Sequence, residues 1–170
     1  MSDQTTTEGL DQDYESQLTL SASADAVFDA LTTTEGLAAW WTAVTGDGLT
    51  GGELTFSFGP AAQALMRVDA AERGVGVHWT NTACIQQDWV GTTLHFDIEA
   101  TPEGRTELHF RHAGLTPRLE CFTDCKSGWD HFIPSLRAYV ETSVGNPNQS
   151  EADIARRDAL ARRRESANVG

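Results

Sequence analysis

One histidine and two cysteines carry most of the chemical potential of this chain. His112 ends the run TELHFRH (106–112) and shares strand parity with Leu108 and Phe110, so it points to their apolar side. A histidine in that position needs a hydrogen-bond partner. Two roles are open to it: a core histidine bonded to a backbone carbonyl, or an imidazole that orients a ligand atom or moves a proton. Cys121 and Cys125 are four residues apart, which on a helix sets their Cβ atoms about 5–6 Å apart. That is wide for an unstrained disulfide. Together with His112 they suggest a thiolate–imidazole metal site, but C-x-x-x-C lacks zinc-ribbon spacing and no fourth ligand presents itself. Packing is the simpler role for both thiols, with a redox or nucleophilic thiol as the alternative, and no metal or cofactor is expected. Glu120 is the one acid near the suspected mouth, and neither G-x-S-x-G nor a P-loop occurs. Catalysis therefore has a single candidate, His112, and the chain reads more readily as a binder than as an enzyme.

The five tryptophans, Trp40, Trp41, Trp79, Trp89 and Trp129, form the second group. Each brings a large apolar area and one N–H that wants a partner. Trp40 and Trp41 are adjacent in LAAWWT, and neighbouring side chains on a helix diverge by about 100°. One ring is expected to anchor on the fold's own core and the other to close a cavity; Trp40 is assigned the first role and Trp41 the second.

The elements that must hold these residues follow from periodicity. Residues 14–20 alternate as a strand. In SASADAVFDALT, Ser23 caps a helix whose stripe is Val27, Phe28 and Leu31. A second short helix is expected over 34–42, capped by Thr34, followed by a glycine-rich loop over 45–52. About six strands come next, five of them marked by shared faces: Leu54, Phe56 and Phe58; Met66 and Val68; Val75, Val77 and Trp79; Leu94, Phe96 and Ile98; and Leu108 and Phe110. ERGVG and TPEGR supply hairpin turns. Trp129, Phe132, Ile133, Leu136 and Val140 follow helical spacing over 125–143, with Pro134 inside the pattern favouring a kink. The resulting architecture is α+β: a curved antiparallel sheet wrapped around a long C-terminal helix, a helix grip.

At this point SADAVFDALTTTEGLAAWW, GGELTFSF, WVGTTLHFDI, TELHFRHAGL and GWDHFIPSLRAYVET, in that order, resemble the START-like (SRPBCC) superfamily over residues 14–147. The resemblance is to the bacterial branch named after the activator of the heat-shock protein 90 ATPase. It implies the helix-grip fold and a cavity that often holds an apolar or aromatic molecule. Relatives include lipid carriers, polyketide cyclases and co-chaperone domains, so the fold does not choose among them. The co-chaperone activity is expected to transfer poorly, because it uses an additional N-terminal domain and here only a short polar leader precedes the strand.

The organisation expected is a flexible leader (1–12), one START-like domain (13–147) and a charged C-terminal tail (148–170) with room for a short amphipathic helix through Ile154 and Leu160. The net charge of −13 is uneven: residues 151–170 hold five arginines against four acids, so the remainder carries seven basic and 21 acidic residues. Such an acidic body argues against nucleic-acid binding. Arg162, Arg163 and Arg164 read as a solvated face, with an acidic docking partner as the alternative. No apolar run is long enough for a membrane span, and the start lacks a signal-peptide pattern, which points to the cytoplasm. The function expected is binding of a small apolar or aromatic ligand between sheet and helix, with walls from Trp41, Phe56, Trp79, Phe110, Trp129 and Phe132 and with His112 orienting a polar atom. A cyclase- or hydrolase-like enzyme and a ligand-free chaperone accessory or homodimer partner are the alternatives.

Overall fold

The chain is described by a computed structural model covering residues 12–59, 62–84 and 87–169. All but one residue of the expected leader lies outside the described residues. Within them are seven strands and four α-helices, in the order β1 (Tyr14–Leu20), α1 (Ala24–Thr32), α2 (Thr34–Trp40), β2 (Val44–Gly46), β3 (Glu53–Gly59), β4 (Ala62–Glu72), β5 (Gly76–Cys84), β6 (Thr93–Ala100), β7 (Thr106–Ala113), α3 (Phe122–Thr142) and α4 (Glu151–Val169). A single 3₁₀ turn, Gln87–Trp89, joins β5 to β6.

All strand pairings are antiparallel, in the order β1-β7-β6-β5-β4-β3-β2. Register shifts between Leu65 and Met66 and between Val68 and Ala70 break the β4–β5 ladder. Such bulges bend a sheet and increase its twist. The bent sheet carries an inner face of Leu54, Phe56, Met66, Val68, Trp79, Leu94, Phe96, Leu108 and Phe110, every one of them buried. Helix α3 lies on that face through Trp129, Phe132, Ile133 and Leu136. Each fully buried tryptophan removes roughly 200 Å² from water, about 5 kcal/mol at ~25 cal/mol per Å². Each ring of the aromatic layer therefore contributes more than any single aliphatic side chain of the core.

Several local expectations are corrected. The cap of α2 is Thr33, whose Oγ1 accepts the Gly36 N–H at 3.0 Å, not Thr34. The loop after α2 pairs briefly with β3 as β2. Val75 sits in the β4–β5 turn beside Gly74 (φ 82°) and is 56% exposed, so it does not continue the face of Val77 and Trp79. The tail forms a 19-residue helix rather than a short one. Among the described residues no helix is long and apolar enough to cross a membrane.

Among the contacts that fix α3 against its surroundings, three reach β1 and the ends of neighbouring elements. Tyr14 Oη donates to Asp130 at 2.6 Å, and the Ser21 N–H donates to Glu141 at 2.8 Å. The third is buried: Ser135 Oγ donates to the Trp40 carbonyl at 2.8 Å and accepts the Asn146 N–H at 2.6 Å. That hydroxyl satisfies a carbonyl in the last turn of α2 and fastens the chain leaving α3, two groups that have no other helix partner. Replacing it by Ala leaves the buried Trp40 carbonyl unpaired and releases the Asn146 N–H at a part-buried position. Ser135→Ala should cost about 2–3 kcal/mol, read as a lower urea midpoint at unchanged m-value.

Candidate functional site

The end of α2 builds one wall. Trp40 Nε1 donates to the Ala30 carbonyl at 2.8 Å, which ties its ring to α1, and the ring packs edge-on against Phe96. Trp41 caps the helix, stacks on Trp40, and reaches Phe56 (centroids 4.4 Å), Phe58 (5.7 Å) and Trp129 (5.0 Å). Beside Trp41 lies a cavity of about 280 Å³, at the open end of the grip. Its walls are Trp41, Phe58, Trp89, Trp129 and Phe132, with the thiols of Cys84 and Cys125 between them. Trp40 does not border it.

The seven residues expected at a ligand divide into two layers. Trp41, Trp129 and Phe132 line the cavity. Phe56, Trp79, Phe110 and His112 do not; they back the wall, Phe56 and Trp79 behind Trp41, and Phe110 and His112 behind Trp129. Strand parity places a side chain on the inner face but cannot say whether a larger ring stands in front of it.

His112 is fully buried, with both ring nitrogens engaged. Trp129 Nε1 donates to Nδ1 at 3.0 Å, so in the neutral ring Nε2 carries the proton and donates to Thr92 Oγ1 at 2.9 Å. The Thr92 hydroxyl passes its own proton to the Trp89 carbonyl at 2.6 Å. The partners are thus a hydroxyl and an indole rather than the expected backbone carbonyl. Burial, with a small contribution from His95, pushes the His112 pKa down to about 3. The imidazole is neutral at ordinary pH and is spent on structure.

Cys125 accepts the Trp89 indole N–H at 3.0 Å. Burial pushes its thiol up to about 12, against the lowering effect of that bond, so it is protonated and a poor nucleophile. Among the described residues, no group of three or more His, Cys, Asp or Glu side chains is arranged to hold a metal ion.

Sequence reasoning missed several lining residues. Gly128 faces the cavity from within α3, and a Cβ built on it meets nothing within 4 Å. A glycine inside a helical pattern costs about 1 kcal/mol against alanine and signals a packing reason. Asp124, Arg156 and Arg157 edge the mouth, and the two arginines belong to the tail that composition alone marks as solvated.

The model of the family "Activator of Hsp90 ATPase homolog 1-like protein" matches residues 21–141, from the start of α1 to the end of α3. The chain belongs to this family. Among solved structures, the Aha1 dimer from Colwellia psychrerythraea is similar to it at 26% identity and TM-score 0.69, covering 79% of this chain and 99% of that one. CalU16 from Micromonospora echinospora is similar at 16% identity and TM-score 0.64, covering 81% and 71%. DynU16, from the dynemicin biosynthetic locus, is similar at 20% identity and TM-score 0.63, covering 79% of this chain and 49% of that one. No curated protein sequence matches the chain. These matches agree with the helix-grip fold and the START-like assignment.

The buried histidine sets a pH dependence. An unfolded histidine titrates near 6.5, whereas His112 in the fold resists protonation down to about 3. Below about pH 6.5 the unfolded chain binds a proton that the fold refuses, so stability is complete above that pH and declines as pH falls. The slope approaches about 1.4 kcal/mol per pH unit. Urea unfolding between pH 7 and 5 should show this loss in the wild type and lose that contribution in His112→Gln; an unchanged slope in the variant would assign the titration to another group.

Proposed function

We propose that this chain is a small-molecule binding domain that holds an apolar or aromatic body in the cavity beneath the N-terminal half of α3. The observation that carries the reading is the wall itself: five aromatic rings and two thiols surround about 280 Å³ in an otherwise close-packed core. An apolar cavity of about 150 Å³ takes a benzene ring, so this one suits a body of about two rings. Gly128 supports the same reading, since a larger residue there would improve the helix and fill the space. That a fold neighbour comes from a biosynthetic locus fits a small molecule better than a macromolecular client. His112 favours binding over acid–base catalysis, because it is neutral, doubly bonded and screened from the cavity by Trp129. In this reading it orients the wall rather than the ligand. Assembly as a homodimer, the state of the Colwellia relative, is compatible with a site enclosed within one chain.

The test uses 2-naphthol, a neutral two-ring probe, followed by titration calorimetry. The wild type should bind it saturably at one site per chain. Gly128→Leu, which fills the cavity, should weaken binding by at least about tenfold, the effect of ~1.4 kcal/mol. Gly128→Ala should retain much of the binding and stabilise the fold by up to about 1 kcal/mol. Equal affinity in wild type and Gly128→Leu would place the probe elsewhere and count against the proposal.

A further inference from the structure

The mouth of the cavity has a chemistry that its walls do not. Arg156 and Arg157, successive residues of α4, both edge it. Both also grip one carboxylate, Asp153, whose side chain is fully buried. Arg156 reaches Asp153 Oδ1 through Nη2 at 2.8 Å, and Arg157 reaches Oδ2 through Nε at 3.2 Å. The Gln149 N–H also donates to Oδ2, at 3.0 Å. One carboxylate thus serves two guanidiniums, and one positive charge is left over. The other acid at the mouth, Asp124, forms an ion pair with Arg164 and supplies no spare negative charge.

Both arginines are held in place. Arg156 donates from Nη1 to Ser127 Oγ at 3.0 Å and lies 5.6 Å from the Phe132 ring centroid. Arg157 donates from Nη2 to Asn148 Oδ1. Nη1 of Arg157 has no hydrogen-bond partner among the described residues, and the side chain is 44% exposed. An open Nη1 beside an apolar cavity, on a guanidinium already fixed by Asp153 and Asn148, is a pre-oriented charged donor for one oxygen of a carboxylate.

We infer that the cavity takes an amphipathic acid: an aromatic or apolar body of about two rings inside, with one carboxylate at the mouth on Arg157 and Arg156. This rests on the binding reading above and adds the ligand's charge to it. The acidic body of the protein, at −13 overall, opposes anions only at long range. Its field is screened over about 8–10 Å in ordinary salt, so the guanidiniums in contact with the ligand decide the preference. These arginines lie beyond the residues matched by the family model, which ends at 141.

The test compares 2-naphthoate with 2-naphthamide, which share a shape and differ in charge, by titration calorimetry on the full chain. The wild type should prefer the naphthoate by roughly tenfold, the scale of a hydrogen bond to a charged group. Arg157→Gln should abolish most of that preference, read as the ratio of the two affinities in the same variant, and Arg157→Lys should keep part of it. Should Arg157→Gln disturb the cavity and lose both compounds, the wild type decides alone: its preference must shrink between about 0.05 and 0.5 M salt. Equal binding of the two compounds, or a preference that survives Arg157→Gln, overturns the carboxylate assignment and leaves the cavity reading intact. Failure of both compounds to bind the wild type overturns the two together.

Discussion

A closed ring of side-chain hydrogen bonds holds the long helix to the sheet, and the site depends on it. Trp129 on α3 donates to His112 on β7, which donates to Thr92, which donates to the carbonyl of Trp89. The indole of Trp89 returns to α3 at Cys125, one turn before Trp129. Each member is a donor or acceptor that burial would otherwise penalise by about 1–3 kcal/mol. Every one of these links is satisfied inside the ring. Because the links are mutually required, α3 cannot slide along the sheet without opening several at once. The ring also lays Trp89 parallel to Trp129, with centroids 6.1 Å apart and planes within 13°. That pair is the rigid side of the cavity.

Against that rigid side the rest of the cavity is defined by what does not fill it. The inner face of the sheet and the apolar stripe of α3 mesh through Phe96, Phe110 and Leu136, all fully buried. Toward the open end the β4–β5 ladder is bulged, and Gly128 offers no side chain to fill the space beside it. Helix α4 then crosses the gap with charged groups rather than an apolar stripe. Its Ile154 is 46% exposed, and its purchase on α3 comes from Arg156 on Ser127 and Arg164 on Asp124. A polar closure of this kind excludes bulk water less completely than a packed one, which suits an entrance.

Legibility in the sequence followed the range of the forces involved. Alternation at 94–98 and 106–112 and the helical spacing from Trp129 to Leu136 are local, and they sufficed for the helix-grip architecture and for His112 pointing inward. The partners of His112 come from residues 92 and 129, on other elements, and no local pattern encodes that meeting. Parity failed at Val75 because that residue lies in the β4–β5 turn, before β5 begins at Gly76. In the site, Trp41, Trp129 and Phe132 were legible as large apolar residues near the open end, whereas Phe56, Trp79 and Phe110 have the same signature and sit one layer back. Arg156 and Arg157 carried no signal that set them apart from the rest of the charged tail. Yet Asp153 lies three and four residues before Arg156 and Arg157, the spacing at which helical side chains meet. That spacing was visible in the sequence, but the burial of Asp153 that gives it meaning was not.

The adjacent tryptophans have an optical consequence beyond packing. Trp40 stacks on Trp41 at 5.7 Å, Trp41 lies 6.3 Å from Trp79 and 5.0 Å from Trp129, and Trp129 lies 6.1 Å from Trp89. At such separations electronic excitation hops between indoles far faster than it decays. The five rings therefore behave as one antenna rather than five lamps. Light absorbed by Trp40 or Trp79, which never border the cavity, drains toward whichever ring offers the lowest-energy exit. Whatever rests against Trp41 or Trp129 thus governs the emission of the entire molecule.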